Sequence, residues 1–471
     1  MADQLRSDFV GRSFTPHINQ LLDESTVFSR AYCASPLCVP ARGAFFSGTY
    51  PNQNGSLINP WAAQDRAHGL VRAGLPNLYT LLEDEWDSWH TGKQHLFTED
   101  AFDKVPNSKT HWLSLGTHYP DYLAKVGQQR PGGPDFRAFL PELVGGTSTH
   151  RRGYSIPTIG RYEGGFDVFF DGFILHTSLE AISRRDQTKP FLLNAMFLAP
   201  HPPLQIPEPY FSLVKEIDLP QNVGRWSQDQ SPLQLYNLTG YFGGRYSRAD
   251  WAKIWPVYAG LVALLDDCVG RLVAALKDEG LYDQAIILFL ADHGEMLGSH
   301  TLWQKMCMYE ESVRTPLAIK LPQGSPQVAT YDGLISHVDV LPTLCDLMDI
   351  PMPETVSGCS FAETVKTGAL FDRERAFIQF DGNGALGNFQ RCVVKGNYKL
   401  IVDTFKDEIF FELYDIINDP QELINLAFEQ QETVEMLYAE LLSHMQRTND
   451  HFTLTESDYP DFRQGYSSLR I

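Results

Sequence analysis

A chain of 471 residues with 43% hydrophobic and 20% charged side chains has the make-up of an ordinary globular protein, long enough for one large α/β domain and a smaller one. Its formal net charge of −20, from 38 Lys and Arg against 58 Asp and Glu, argues against nucleic acid or an anionic membrane surface as partner, since both reward a basic face. A small anionic substrate stays allowed because it feels only its local pocket, and no apolar run approaches the ~18 residues of a membrane span.

In chain order, the opening MADQLRSDFVG has neither a basic region nor an apolar core, so no signal peptide is read. Seven cysteines, odd in number and without CxxC spacing, indicate neither a disulfide framework nor a zinc site. A cytoplasmic location is therefore expected, with a periplasmic or secreted one as the alternative if the natural chain starts further upstream. Thr15-Pro16 predicts a helix start running through Leu21 and Leu22. In SPLCVPARGA, Pro40 suits a first turn and Gly48 a stop, which predicts a short helix from about Val39 to Ser47 with Cys38 at its amino end. That end offers unpaired N–H groups and the positive pole of the helix dipole, and Arg42, one turn on, leans back toward it.

The stretches 100–190 and 205–250 are rich in Gly, Pro, Tyr and Trp and weakly periodic, which reads equally as loops shaping a binding site or as a structural insertion. Residues 191–198 and 285–291 are short apolar runs, as expected of strands buried in a parallel sheet. Between them Val257, Leu261, Leu264, Leu265, Cys268, Leu272 and Leu276 recur at helical spacing, ending at Gly280. Strands alternating with helices predict a mainly parallel, doubly wound α/β sheet with ligands at the carboxyl ends of its strands. Asp292 and His293 follow the 285–291 strand directly, and a carboxylate there has to be paired, hydrogen-bonded or metal-bound. From about Pro351 the texture shifts to alternating strands, QRCVVKGNYKLIV and EIFFELYDI, then a helix near 430–446. Two domains are accordingly expected, residues 1–370 and 371–471. Asn54-Gly-Ser and Asn237-Leu-Thr fit the glycosylation sequon at a frequency chance supplies, and the oligomeric state is not legible.

The C-x-P-x-R pattern of residues 38–42, followed by FFSGTYP, resembles the signature of the type I sulfatases of the alkaline phosphatase superfamily. The resemblance implies an alkaline-phosphatase-like α/β fold with a small C-terminal antiparallel sheet. It implies that Cys38 is oxidised to formylglycine by a dedicated maturation enzyme, and that Asp3 and Gln4 match the family's first metal pair. With Asp292, His293 and an oxygen from residue 38 they make an oxygen-rich set suited to Ca²⁺, with Mg²⁺ or Mn²⁺ tolerated. In the family an apolar strand leads into that pair. Here it is missing, so a loosely held Asp3 is expected.

Lys93 and His95 in TGKQHL, His201 in FLAPHPP and Lys305 in WQKMCMYE match the family's sulfate-gripping residues. By resemblance, Lys93 and the metal hold the non-bridging oxygens, Arg42 orients the residue-38 diol, and Asp292 takes its proton. His201 and Lys305 serve the leaving alcohol, and His95 deprotonates the second hydroxyl to expel sulfate. The expected substrate is an organic or carbohydrate sulfate monoester. The alternatives are a phosphonate monoester or phosphodiester hydrolase of the same superfamily and, behind it, an inactive binding homologue.

Overall fold

The computed structural model describes residues 1–60, 63–100, 109–133, 136–144, 148–383 and 387–459. Parts of the 100–190 loops thus lie outside the described residues. Helix α1 (Pro16–Asp23) starts at the expected proline, although Thr15 does not cap it: its hydroxyl bonds Arg12 and Asn19 instead. Strand β1 (Thr26–Tyr32) leads into α2 (Cys38–Ser47). Gly48 closes α2 in the left-handed conformation at φ 66°, its N–H bonded to the Ala44 carbonyl at 2.9 Å. β2 (Asp87–Gly92) pairs in parallel with β3 (His111–Ser114) and, on its other side, with β4 (Phe191–Met196), which follows helix α3 (Phe170–Arg184).

Helix α4 (Arg248–Asp278) carries the predicted apolar stripe but begins nine residues before it. A Ser247–Asp250 capping box sets that start, and the helix continues through Pro256. Strand β5 (Ile287–Leu290) then pairs antiparallel with β6 (Leu317–Lys320), β6 antiparallel with β1, and β1 parallel with β7 (Thr330–Ser336). The 285–291 run pairs in parallel with Ala2 through Ala291, as expected, and the antiparallel β5–β6 pair on its other side is the exception. Its physical reason is the connection: the chain returns from β5 to β6 through a loop that never crosses the sheet, and a parallel pair needs such a crossover.

The two sheets meet at the amino terminus. Met1 donates to the Ala195 carbonyl at 3.0 Å and accepts from Phe197, while Ala2 donates to the Leu290 carbonyl at 2.8 Å and accepts from Asp292. Residues 1–3 therefore act as a very short central strand between β4 and β5. Asp3 is fully buried, which corrects the expectation of a loosely held residue. Side chains alternate across the joined sheet. Ala195 and Phe289 share one core with Ile174 of α3 and Leu261 and Leu264 of α4, whereas Met196 and Leu290 share another with Phe45 and Phe46 of α2. Helices thus cover both faces, the doubly wound α/β arrangement expected. The start of β4 and of β5 is only half-buried, because both flank a cleft of about 660 Å³ beside Met1.

A C-terminal antiparallel sheet follows, in the order β8 (Arg375–Asp381), β9 (Asn388–Lys395), β10 (Tyr398–Phe405) and β11 (Glu408–Asp415). Helix α5 (Gln431–Arg447) packs Val434, Leu437 and Leu441 against Val393, Leu400 and Phe411 of that sheet. Gln379 of β8 donates to the Ala34 carbonyl at 3.0 Å, which ties the sheet to the loop that ends at Cys38.

Where the sheet meets residues 231–237, Asp403 accepts from Ser231 Oγ and Asn388 Nδ2, both at 2.7 Å, beside buried Glu412. Burial, with the charge of Glu412, lifts the Asp403 carboxyl to about 7. The folded chain then keeps a proton that the unfolded chain releases near its ordinary value. The associated stability is complete below about pH 4 and is lost as pH rises toward 7, at roughly 1.4 kcal/mol per unit. Asp403→Asn is expected to flatten that part of the Tm-against-pH curve, as thermal melts across the window would show. A curve with the same slope in the variant would assign the proton elsewhere.

Candidate active site

The predicted residues converge at the carboxyl ends of β2, β4 and β5 and the amino end of α2. Cys38 opens α2 and is 2% exposed. Asn59, which the sequence reading missed, accepts from the Val39 N–H at 3.1 Å and satisfies one free donor of that helix end. No local signal marks a cap that lies 20 residues away. Asp292 leaves β5 with its Oδ1 held by the backbone N–H groups of Gln4 and His293, at 3.1 and 3.0 Å. His293 Nε2 lies 3.1 Å from Cys38 Sγ, and its Nδ1 faces the Gly294 carbonyl.

Arg42, 1% exposed, leans back as expected, but its guanidinium passes Cys38 and joins two carboxylates. Nη2 meets Asp3 Oδ2 at 2.7 Å and Nε meets Asp292 Oδ2 at 3.0 Å, while Nη1 donates to the Lys93 carbonyl. Lys93 leaves β2 through Gly92, where a β-carbon would stand 2.2 Å from the Met196 carbonyl oxygen, so only glycine fits. Its Nζ reaches Asp3 Oδ2 at 2.6 Å and lies 3.7 Å from Cys38 Sγ. Asp3 Oδ1 faces Cys38 Sγ and His201 Nε2, each at 4.0 Å. Backbone N–H groups of Leu198 and Ala199 donate to buried Asp171, fixing the turn that delivers His201. His95 stands two residues beyond Lys93 and lines the same cavity.

Gln4 is the exception to a simple ligand role. It sits at φ 65°, and its side chain is engaged by Glu295, to which it donates, and by Lys305 Nζ, which donates to its Oε1 at 2.5 Å. Glu295 lies inside the ADHGE stretch, so its signal was present but unread. Above this floor opens a cavity of about 570 Å³, lined by Cys38, Lys93, His95, His201 and Lys305 together with Arg130, Phe136, Arg137, Phe170 and Gln304.

The electrostatics follow from the crowding. Burial alone would raise Asp3, yet the Lys93 ammonium beside it and the Arg42 guanidinium hold its carboxyl well below the usual range. Burial and Asp3 push the Cys38 thiol up, but Lys305, Lys93 and His293 outweigh them and bring it down to about 7. His201 is held well below its ordinary value by burial, then by Lys93 and Lys305; His95 likewise by burial, then Lys93 and Arg42. Both imidazoles are therefore neutral until an anion enters. One ligand atom each from Asp3, Cys38, Asp292 and His293 lies within 4.8 Å of the others, all buried. Two carboxylates, an imidazole and residue 38 around one point form a donor set that fits a divalent cation. Among the described residues no helix is long and apolar enough to cross a membrane.

The chain is similar to known proteins over most of its length. The sulfatase family model matches residues 2–350, and the model of the N-sulphoglucosamine sulphohydrolase C-terminal region matches residues 298–451. An arylsulfatase of Clostridium perfringens is 24% identical, covering 96% of this chain and 95% of its own. A choline-sulfatase of Rhizobium meliloti is 27% identical over 88% of this chain and 77% of its own. Among solved structures, a phosphonate monoester hydrolase of Agrobacterium radiobacter superposes with a TM-score of 0.76 at 22% identity over 97% of both chains, a likeness of fold. With most of its length matched, the chain belongs to the sulfatase family, sulfuric ester hydrolases of the alkaline phosphatase superfamily.

Proposed function

We propose that this protein hydrolyses an organic or carbohydrate sulfate monoester at Cys38, with a divalent cation, most simply Ca²⁺, held by Asp3, Asp292, His293 and residue 38, and with Gln4 beside it. The observation that carries the reading is the cluster of Lys93, His201 and Lys305 around Cys38 at the floor of one cavity. A sulfate ester spreads charge over its oxygens and moves more onto the bridging oxygen in the transition state, so fixed cations are needed at both places. Conversion of Cys38 to formylglycine by a maturation enzyme would supply a geminal diol, one hydroxyl to attack sulfur and the other to expel sulfate once deprotonated. The cation, when bound, would acidify the attacking hydroxyl and share the charge of the sulfate.

The chain's own groups divide the remaining work. Lys93 neutralises a non-bridging oxygen, and Arg42 holds Asp3 and Asp292 in place. Asp292 accepts the proton of the attacking hydroxyl, and His95, neutral by burial, accepts the later one. His201 gains a proton when the anionic ester arrives and passes it, with Lys305 beside it, to the leaving alcohol. We read residues 371–471 as a subdomain that braces the loop before Cys38 through the Gln379–Ala34 bond.

The test is a matched set of aryl sulfate, phosphate diester and phosphonate ester. The sulfate is expected to show the highest kcat/KM, and a tenfold preference for phosphonate would move the protein to the other branch of the superfamily. His201→Ala is expected to slow esters of poor leaving groups by about 10²-fold or more and nitrophenyl esters far less, since general acid catalysis matters most where the alcohol leaves reluctantly. A uniform loss across leaving groups would remove His201 from the proton path.

A further inference from the structure

The cavity above Cys38 carries a second cationic feature that chemistry at sulfur does not use. Arg130 and Arg137 both line it. The Arg130 guanidinium stacks over Phe170 at 5.3 Å, and that of Arg137 over Phe136 at 5.0 Å. Their backbone is anchored: Gln129 accepts from the Tyr162 hydroxyl at 2.7 Å, and Phe136 accepts from the Ile156 N–H at 3.0 Å. Among the described residues neither guanidinium has a carboxylate partner, in a chain with 20 more acidic than basic side chains. Instead partial burial, with the like charge of Arg130, lowers Arg137.

Two guanidiniums lining one pocket, with no counter-ion among the described residues, repel each other, and an anion between them would relieve that repulsion. Stacking fixes the planar donor fork, which matches carboxylate and sulfate oxygens two at a time. We propose that Arg130 and Arg137 form a subsite for a second anionic group, a carboxylate or a further sulfate, on the same substrate whose ester sulfate meets Cys38. The substrate class is then a sulfate ester that carries a second anionic group, rather than a neutral aryl or a cationic alkyl sulfate. This rests on the sulfatase reading of the same cavity.

Three oligosaccharides test it, sharing one scissile sulfate: one with no other charge, one with an added uronate carboxylate and one with a second sulfate. Wild type is expected to favour the dianions in kcat/KM by about tenfold or more, as charge-assisted bonds to a fixed fork provide. Comparing the carboxylate and sulfate arms identifies the group. In Arg130→Ala/Arg137→Ala the preference ratio is expected to fall toward one, and in the single variant Arg137→Gln, a milder change at an exposed side chain, to fall part of the way. An equal ratio in wild type and variants, or no preference in wild type, overturns the subsite while leaving the sulfatase reading intact. Calorimetry with Cys38→Ala separates the converse case. Arginine-dependent tighter binding of the dianions without hydrolysis of any sulfate by wild type would keep the subsite and overturn the reaction.

Discussion

Cys38→Ala is expected to abolish sulfate ester hydrolysis, by about 10⁴-fold or more, while the fold persists. The side chain is almost fully buried at the first residue of α2, and its contacts are polar: His293 at 3.1 Å, Lys93 at 3.7 Å and Asp3 at 4.0 Å. Alanine keeps the helix start and removes a single sulfur, a loss of volume that costs little beside the chemistry it ends. A companion measurement addresses the chemical form of residue 38. In chain made by cells that contain the maturation enzyme, the peptide carrying it is expected to weigh about 18 Da less than encoded, since a thiol carbon that becomes an aldehyde loses sulfur and two hydrogens and gains one oxygen. Full turnover with an unmodified thiol would sink the formylglycine reading. Cys38→Ser sharpens the comparison, because a plain hydroxyl can be sulfated but has no second hydroxyl with which to expel the sulfate.

Much of the site was legible where one local signal sufficed. Pro40 and Gly48 bounded α2, and the apolar run 285–291 made a strand-end carboxylate of Asp292. What stayed hidden depended on partners distant in sequence. Residues 1–3 are too few for a periodic pattern, yet backbone bonds on both sides make them a central strand and bury Asp3. The direction of β6 depends on whether the preceding loop crosses the sheet, which composition does not record. Gln4 reads as a ligand by its neighbour Asp3, but the nearby Glu295 and Lys305 claim its side chain. Arg130 and Arg137 lie in a stretch with weak periodicity, and only the folded chain brings both to the lining of one cavity.

Arg42→Gln is expected to be the most damaging change outside residue 38, and its signature separates structural from electrostatic loss. The guanidinium is buried between Asp3 and Asp292 and also donates to the Lys93 carbonyl, so its removal takes a cation away from two buried carboxylates at once. Breaking a buried pair from one side costs about 3–5 kcal/mol, because the remaining charge has lost its solvent without a partner. The lost positive charge also makes the site more negative, which favours a divalent cation. Added Ca²⁺ is therefore expected to raise the Tm of the variant by more than that of wild type, and chelation to lower it by more. Activity is expected not to follow the recovered stability. With Ca²⁺ saturating, kcat/KM for an aryl sulfate should stay down by about 10²–10³-fold, since a misplaced Asp292 no longer meets the proton of the attacking hydroxyl. Arg42→Lys keeps the charge but cannot bridge both carboxylates, and is expected to recover most of the stability and little of the rate. A lysine variant as active as wild type would reduce Arg42 to a counter-ion, and a glutamine variant as stable as wild type would mean that Lys93 alone suffices to hold Asp3.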